Sequence, residues 1–229
     1  MPFKVLCDFD GTISQADATD SIFERFAPGW RSIEALLEAG EIGGAEAMRR
    51  EAELMDASLP ELDEALDSLT IDPAFPAFVA FCQDASVELV VVSDGIDYFI
   101  RRMLLRAGLK GLPIRANRLI QRGPRRYTLG HPHRVQGCRP RAGTCKCTRA
   151  ASECAGHLTV LIGDGRSDFC VSHRADIVFA KKSLLTYTQE NGIEAFEYSG
   201  FEDIQAVMKD LLHSRRLEPA FAGASLAAA

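Results

Sequence analysis

The stretch Val5-Leu6-Cys7-Asp8-Phe9-Asp10-Gly11-Thr12 decides the fold, because an apolar run ends there in two carboxylates and a glycine. Side chains two residues apart lie on one face of a strand, so we expect Asp8 and Asp10 to project together where the strand ends. Ligands of open α/β sheets bind outside the carboxyl ends of the strands. A plain polar turn is the alternative, but two neighbouring like charges are unfavourable without a cation. The stretch therefore predicts a buried strand that leads into a ligand site.

Three later apolar runs are similar to the first: Val87–Val92, Leu158–Ile162 and Ile177–Ala180. Each run is continuous rather than alternating, which is typical of parallel strands buried on both faces. Helices are predicted over Asp97–Ala107 and over Phe201–His213, where apolar residues recur at helical spacing. Strands that alternate with helices predict an α/β fold with a mainly parallel sheet.

Residues 14–72 contain no convincing strand and hold fifteen acidic and four basic residues. We interpret them as a helical insertion that interrupts a core made of residues 1–13 and 73–217. The Ala-rich residues 218–229 are predicted to form a flexible tail. The helices predicted within the helical insertion are Asp20–Phe26, Trp30–Ala39, Gly44–Leu54 and Leu59–Leu69.

The chain of 229 residues has 47% hydrophobic residues, 25% charged residues and a formal net charge of −6, which fits one globular domain with an insertion. No apolar run approaches the ~20 residues that a membrane-spanning helix needs.

The charge is unevenly distributed, because residues 101–149, the basic segment, hold twelve Arg, two Lys and no acidic residue. A solvated face, an anionic substrate, a nucleic acid, and contact with the acidic insertion within the chain or across a homodimer are all open explanations. Tyr127 is the only aromatic residue of the segment, which counts against a base-stacking platform. Within it, Ile114–Gln121 and Tyr127–Leu129 are predicted to pair as a hairpin.

A second acidic motif, Gly163-Asp164-Gly165-Arg166-Ser167-Asp168, follows the apolar run that ends at Ile162. Carboxylates gathered at neighbouring strand ends repel one another, and a hard cation with oxygen ligands, such as Mg²⁺, offsets that repulsion. Ser93 follows another apolar run, and Lys146 lies in the basic segment. Taken alone, this lysine is more simply explained as a solvated side chain.

These four elements, in their order from Asp8 to Asp168, resemble the motifs of the haloacid dehalogenase superfamily of phosphohydrolases. The stretches Phe26-Ala27-Pro28, Ser93–Phe99 and Cys145-Lys146 are similar to its phosphoserine-phosphatase-like branch. Within that branch, they are most similar to the phosphatases of methylthiopentenyl phosphate and of phosphoethanolamine or phosphocholine. The resemblance implies a Rossmann-like core, with the helical insertion as a cap over the active site.

The resemblance also implies roles for individual residues. Asp8 would attack phosphorus and form an aspartyl-phosphate, and Asp10 would protonate the leaving group and then activate water. The implied cofactor is Mg²⁺, held by Asp8, by the backbone carbonyl of Asp10 and by Asp164. Asp168 would orient the water shell of the metal or the side chain of Lys146. The implied phosphate-binding residues are Gly11, Thr12, Ser93 and Lys146.

Together these features predict a Mg²⁺-dependent phosphomonoester hydrolase that acts on a small phosphorylated metabolite and has no membrane partner. A phosphotransferase or phosphoacceptor is an alternative, although Asp10 favours hydrolysis, since a pure phosphoacceptor needs no base. A nucleic-acid-binding protein that uses the basic segment is a second alternative. Asp94 would repel a phosphate, so we expect it to turn away and bond to backbone or to the cap.

Substrate specificity is expected to come from the helical insertion. Acidic side chains there would favour an aminoalkyl phosphate, and arginines would favour a carboxylate or a further phosphate. The candidates are Asp17, Asp20, Glu24, Trp30, Arg49 and Arg50.

Seven cysteines, an odd and scattered number, predict a reduced, cytoplasmic setting rather than a disulfide scaffold. Four of them lie close together with the spacing C-x6-C-x-C-x6-C. Because zinc sites use cysteine ligands, a structural zinc site is one hypothesis, beside buried thiols and a reactive thiol. Its ligands would be Cys138, Cys145, Cys147 and Cys154.

Overall fold

The computed structural model describes residues 1–222, and side chains as far as Ser214. A sheet of seven strands runs through its centre in the order β4-β3-β2-β1-β5-β6-β7. All neighbouring strands are parallel except β3 and β4, which form an antiparallel hairpin. The strands are β1 Phe3–Cys7, β2 Glu88–Ile96, β3 Ile114–Gly123, β4 Arg126–Gly130, β5 Leu158–Gly163, β6 Ile177–Ala180 and β7 Phe196–Glu197. The predicted α/β class and the predicted hairpin are confirmed.

The central strand β1 lies between β2 and β5, with Cys7 paired to Val91 on one side and to Ile162 on the other. The backbone N–H of Asp8 continues this ladder by donating to the carbonyl of Ile162 at 2.9 Å. The continuous apolar runs follow from burial of the central strands by helices on both faces. Their carboxyl ends meet at one edge, which brings distant polar motifs together.

The described part of the chain contains ten α-helices. The first four, α1 Ala18–Phe26, α2 Trp30–Glu38, α3 Gly44–Leu54 and α4 Leu59–Asp67, make up the helical insertion. The others are α5 Phe75–Asp84, α6 Asp97–Arg106, α7 Lys146–Glu153, α8 Phe169–Ser172, α9 Lys182–Glu190 and α10 Phe201–Ala222. Helix α10 enters the segment predicted as a tail, and residues 223–229 lie outside the described residues, so the flexible tail stays a prediction.

Local sequence explains where two helices of the insertion begin. The side chain of Asp17 accepts a hydrogen bond from the backbone N–H of Asp20 and caps α1. At the start of α4, the carboxylate of Glu61 accepts from the backbone N–H of Ser58 at 2.8 Å and from its hydroxyl. Because these caps satisfy N–H groups that have no partner within the helix, the short helices have defined starting points.

The acidic insertion and the basic segment contact each other within the chain. Arg102 pairs with Asp63 and Asp67, and Arg125 pairs with Asp56 and Glu61. These ion pairs are partly exposed, so water and salt screen them and each one contributes little to stability.

A buried polar contact joins the same two parts, since the hydroxyl of Tyr127 on β4 donates to the carbonyl of Ala57 at 2.9 Å. The hairpin is therefore joined to the helical insertion by a buried hydrogen bond as well as by exposed ion pairs. No helix among residues 1–222 is long and apolar enough to cross a membrane.

Candidate active site

Asp8 lies directly after β1 and is 5% exposed, with its Oδ1 accepting from the N–H of Phe9 at 2.7 Å. The chain then turns sharply, because the N–H groups of Thr12, Ile13 and Ser14 all donate to the carbonyl of Phe9. Gly11 has a φ of +70°, and a Cβ atom there would collide with the carboxylate of Asp164. Only glycine therefore lets the turn pass so close to the second acidic motif.

Lys146, the first residue of α7, is buried between two carboxylates. Its Nζ lies 2.8 Å from Asp8 Oδ2 and 2.7 Å from Asp168 Oδ1, and it donates to the hydroxyl of Ser167 at 2.8 Å. Burial alone would lower the pKa of Lys146, but the charges of Asp168 and Asp8 outweigh it and raise the pKa above the ordinary value. The lysine is therefore a fixed positive charge beside Asp8, and its position refutes the simple solvated alternative.

Three carboxylates are placed to share one cation. Asp8, Asp164 and Asp168 each offer an oxygen atom, and these atoms lie within 4.8 Å of one another. No other group of three or more His, Cys, Asp or Glu side chains is arranged in this way between residues 1 and 214. All three are buried oxygen donors, which is the donor chemistry that Mg²⁺ requires. The residues present therefore fit the implied ion.

A hydroxyl group and an ammonium group each donate a hydrogen bond to the carboxylate of Asp164. The hydroxyl of Thr12 donates to its Oδ1 at 3.2 Å, and Nζ of Lys182 donates to its Oδ2 at 2.9 Å and to the carbonyl of Gly11 at 3.2 Å. Lys182 has a φ of +49°, a strained value for a residue with a side chain. Sequence analysis missed Lys182, because no local motif marks a lysine contributed by the start of α9.

Asp10 turns away from the three-carboxylate cluster toward the start of α1. Its Oδ1 accepts from the N–H of Ala18 at 2.9 Å, and its Oδ2 accepts from the hydroxyl of Thr19 at 3.0 Å. Burial, together with the charges of Asp17 and Asp8, raises the pKa of Asp10 well above its usual range. A carboxyl with a raised pKa keeps its proton more readily than a solvated one, which is a property that a general acid needs.

The end of β2 forms another wall of the site. Ser93 is buried, and its hydroxyl accepts from the N–H of Gly95 at 2.9 Å. A side chain at Gly95 would collide with the carboxylate of Asp10, so this glycine allows β2 to approach Asp10 closely. Asp94 accepts from the backbone N–H of Thr144 at 2.9 Å and from the side chain of Asn117, which agrees with the expectation that it turns toward backbone.

A cavity of about 320 Å³ opens over these groups. The core lines it with Asp8, Asp10, Ser93, Asp94, Asp164 and Arg166, among others. The helical insertion contributes Asp17, Thr19, Asp20, Glu34 and Met48. Sequence reasoning named Asp17 and Asp20 but missed Glu34 and Met48, because only the packing of α2 and α3 turns these side chains toward the cavity.

The other predicted specificity residues do not line this cavity. Trp30 donates its indole N–H to Glu24 at 3.0 Å, which keeps both side chains within the insertion. Arg49 pairs with Glu53, and Arg50 pairs with Glu46, each across one turn of α3. These exposed pairs account for the two arginines without a ligand.

The proposed set of four zinc ligands does not come together, and this expectation needs correction. Cys154 is buried in an apolar cluster that also contains Ala150 and Leu161. Instead, Cys170 lies beside Cys147, with 2.9 Å between the two sulfur atoms. The sequence spacing misled because Cys154 lies at the far end of α7, one helix length from Cys147.

The chain is similar to known hydrolases over most of its length. The family model of the haloacid dehalogenase-like hydrolases matches residues 5–173. A relative from Brevibacillus brevis, described as 2-hydroxy-3-keto-5-methylthiopentenyl-1-phosphate phosphatase, is 29% identical over 216 residues, covering 90% of this chain and 95% of that protein. A protein of the same description from Bacillus cereus strain B4264 is 29% identical over 218 residues, covering 93% and 98%.

Solved structures share the fold. A substrate-bound phosphoserine phosphatase superposes with a TM-score of 0.67 at 19% identity, over 90% of this chain and 98% of that one. A phospho-aspartyl intermediate analogue of phosphoserine phosphatase gives 0.65 at 19% identity, over 91% and 98%. The family-model match over residues 5–173 identifies a hydrolase with an α/β fold. The chain belongs to the haloacid dehalogenase-like hydrolase family. Within that family it is an enzyme of the phosphatase type.

Proposed function

We propose that this phosphatase is a Mg²⁺-dependent phosphomonoester hydrolase that acts on a small phosphorylated metabolite through an aspartyl-phosphate on Asp8. One observation carries the proposal: Asp8 Oδ2 lies 2.8 Å from the buried ammonium of Lys146, at the cavity that Asp10 also lines. The nucleophile and a carboxyl for proton transfer therefore line one cavity, and a buried cation contacts the nucleophile from behind the cavity wall.

Hydrolysis would proceed in two steps. A carboxylate oxygen of Asp8 attacks phosphorus, the bond to the leaving oxygen breaks, and Asp10 gives that oxygen a proton. Asp10 then takes a proton from a water molecule, which attacks phosphorus and releases Asp8 and inorganic phosphate. Covalent catalysis divides a very slow reaction into two easier ones, and proton transfer of this kind contributes about 10²–10⁴-fold.

Lys146 and Ser93 are the proposed partners of the phosphoryl oxygens, Lys146 as a point charge and Ser93 through its hydroxyl. Gly11 and Thr12 act in this proposal by shaping the site. The N–H of Gly11 is bonded to the hydroxyl of Ser14, and the hydroxyl of Thr12 orients Asp164. Asp168 acts through its 2.7 Å contact with Lys146, one of the two roles that the resemblance implies.

The carboxylates of Asp8 and Asp164, with the backbone carbonyl of Asp10, are the proposed direct ligands of Mg²⁺, and Asp168, with an oxygen within 4.8 Å of theirs, would also orient the water shell of the ion. When bound there, the ion supplies positive charge that reduces repulsion between the carboxylates and the phosphate. Residues 14–72 are the proposed cap domain, because their helices supply one wall of the cavity. Residues 1–13 and 73–217 form the proposed core.

The substrate class follows from the charge of that wall. Asp17, Asp20 and Glu34 face the cavity, and a phosphate brings further negative charge. A cationic group on the substrate would offset this crowding. The wall therefore favours an amine-bearing phosphate over the neutral methylthio group named for the relatives.

A phosphate-release assay on a panel of esters tests the proposal. The panel contains phosphoethanolamine, phosphocholine, phosphoserine, 2-hydroxy-3-keto-5-methylthiopentenyl-1-phosphate and a neutral alkyl phosphate. We expect amine-bearing esters to have the highest kcat/KM, EDTA to stop turnover, Mg²⁺ to restore it, and Asp8→Asn to abolish it without unfolding the chain. Activity that EDTA leaves unchanged, or that is retained in Asp8→Asn, would contradict the mechanism. Phosphate transfer without steady release would favour the phosphotransferase alternative.

Substitutions in the wall test the substrate class separately. Asp20→Asn and Glu34→Gln should lower kcat/KM for amine-bearing esters about tenfold or more and leave the neutral ester nearly unchanged, because each removes one negative charge. Glu38→Gln is a matched control, since Glu38 lies on the same helix as Glu34 and is exposed. Equal losses on charged and neutral esters would show that the wall does not select for charge.

A further inference from the structure

Two cysteines that have no role in the proposed mechanism lie in close contact on neighbouring helices. Cys147 is the second residue of α7, Cys170 is the second residue of α8, and their sulfur atoms are 2.9 Å apart. Both are free thiols. The separation exceeds a disulfide bond of about 2.05 Å by roughly 0.9 Å, so a bond between the two cysteines requires their sulfur atoms to approach by about that distance.

The pair can be reached from solvent without passing through the active site. Both cysteines are partly exposed and line a cavity of about 660 Å³. This cavity shares no lining residue with the one over Asp8 within the described chain. Arg139 and Arg174 also line it, and their charges favour an anionic reagent.

The sulfur atoms join the same two segments that hold the proposed phosphate-binding lysine. Cys147 directly follows Lys146, and Cys170 lies two residues after Asp168. Lys146 and Asp168 are 2.7 Å apart. A covalent bond between the two cysteines would therefore act on the relative position of this lysine and this carboxylate.

We propose that Cys147 and Cys170 are a modification site at which small anionic disulfides, such as oxidised glutathione, are reduced and an intramolecular disulfide forms. One cysteine sulfur attacks the reagent and displaces one thiol, and the other cysteine sulfur then displaces the second. The protein thiols lose two electrons and two protons, and the reagent gains both as two free thiols. A dithiol reductant reverses the reaction.

Formation of the bond draws α7 and α8 together and shifts Lys146 against Asp8 and Asp168. Displacement of a positioning group by about 1 Å can lower a rate about 10²-fold. We expect the oxidised enzyme to lose roughly ten- to hundredfold in kcat and dithiothreitol to restore it. This activity effect rests on the proposed function, but disulfide formation itself does not.

The test treats the purified full chain with oxidised glutathione, alkylates the remaining thiols and maps the linked peptides by mass spectrometry. We expect a peptide pair joined through Cys147 and Cys170, and its absence in Cys147→Ser and Cys170→Ser. Both serine variants should keep the activity of the reduced enzyme and resist the oxidant. Cys138→Ser is the matched control, because Cys138 lines the same cavity and the variant should still oxidise and lose activity.

Several results would overturn the proposal. They are a link through Cys138 or Cys145 instead, no link under conditions that oxidise a small dithiol, or one zinc ion per chain that protects the thiols. A link that leaves kcat unchanged would overturn its connection to Lys146. A reduced enzyme that releases no phosphate from any ester would refute the proposed function, while the peptide map would still decide the modification site.

Discussion

Lys146 offers the sharpest test of how the site is held together. Its Nζ contacts Asp8 at 2.8 Å and Asp168 at 2.7 Å, and the side chains of Lys146, Asp8 and Asp168 are 4%, 6% and 0% exposed. At an effective dielectric constant of about 20, each contact contributes about 6 kcal/mol of attraction. Desolvation of the buried charges offsets most of this attraction.

Lys146→Met removes the cation and leaves two buried carboxylates facing each other. Loss of one partner from a buried ion pair typically costs about 3–5 kcal/mol. For a chain of this size, about 1 kcal/mol shifts Tm by about 2–4 °C, so we expect a fall of roughly 6–20 °C. Urea unfolding and a thermal scan, both in EDTA so that no metal replaces the lost charge, measure the effect.

Two further variants separate electrostatics from simple loss of packing. Lys146→Met combined with Asp168→Asn should recover part of the lost stability, because only one buried charge then stays unpaired. Lys110→Met is the surface control, since Lys110 is exposed, and it should change stability little. A fall below about 1 kcal/mol for Lys146→Met, or no recovery in the double variant, would refute the argument that this lysine holds the carboxylates together.

Three other predictions concern the cap and its contacts. Burial raises the pKa of Glu51 to about 8, with Glu34 and Asp20 adding to the rise. The folded chain then binds more protons than the unfolded chain between pH of about 4.5 and 8, so stability falls as pH rises through that window. Glu51→Gln should flatten this fall in urea unfolding at pH 5 and pH 8, and an unchanged slope would contradict the assignment. Gly95→Ala places a Cβ against the carboxylate of Asp10, so kcat should fall at least tenfold while the circular dichroism spectrum is retained; wild-type kcat would contradict the close approach. Arg125→Ala should lower Tm less than Lys146→Met does, and the difference from the wild type should shrink in high salt, because the lost ion pairs are exposed. A loss that is independent of salt would contradict a screened surface contact.

Much of the fold was accessible from the sequence, because its signals are local. Continuous apolar runs predicted β1, β2, β5 and β6, and the hairpin followed from two runs separated by a turn. The four helices of the insertion also matched their patterns to within a few residues. Strand β7 was missed, since two residues, Phe196 and Glu197, carry no periodicity.

The residues of the site likewise fall into two groups, those that a local sequence motif marks and those that only the packing of distant elements brings there. Asp8, Asp10 and Asp164 could be named because each lies in a short motif directly after a strand. The position of Lys146 needed the family resemblance, because a lysine at a helix start has no local signature. Glu34, Met48 and Lys182 could not be named at all, since helices distant in sequence bring the first two to the cavity and Lys182 to Asp164.

By itself, then, the sequence determined which strands are buried and which carboxylates end them, because burial and strand alternation act over a few neighbouring residues. The tertiary structure decided which side chains meet across the cavity. It put Glu34 on the wall, it placed Lys182 on Asp164, and it chose Cys170 rather than Cys154 as the neighbour of Cys147. The physical reason is that such contacts depend on how helices pack and on the space between them, which no spacing along one chain records.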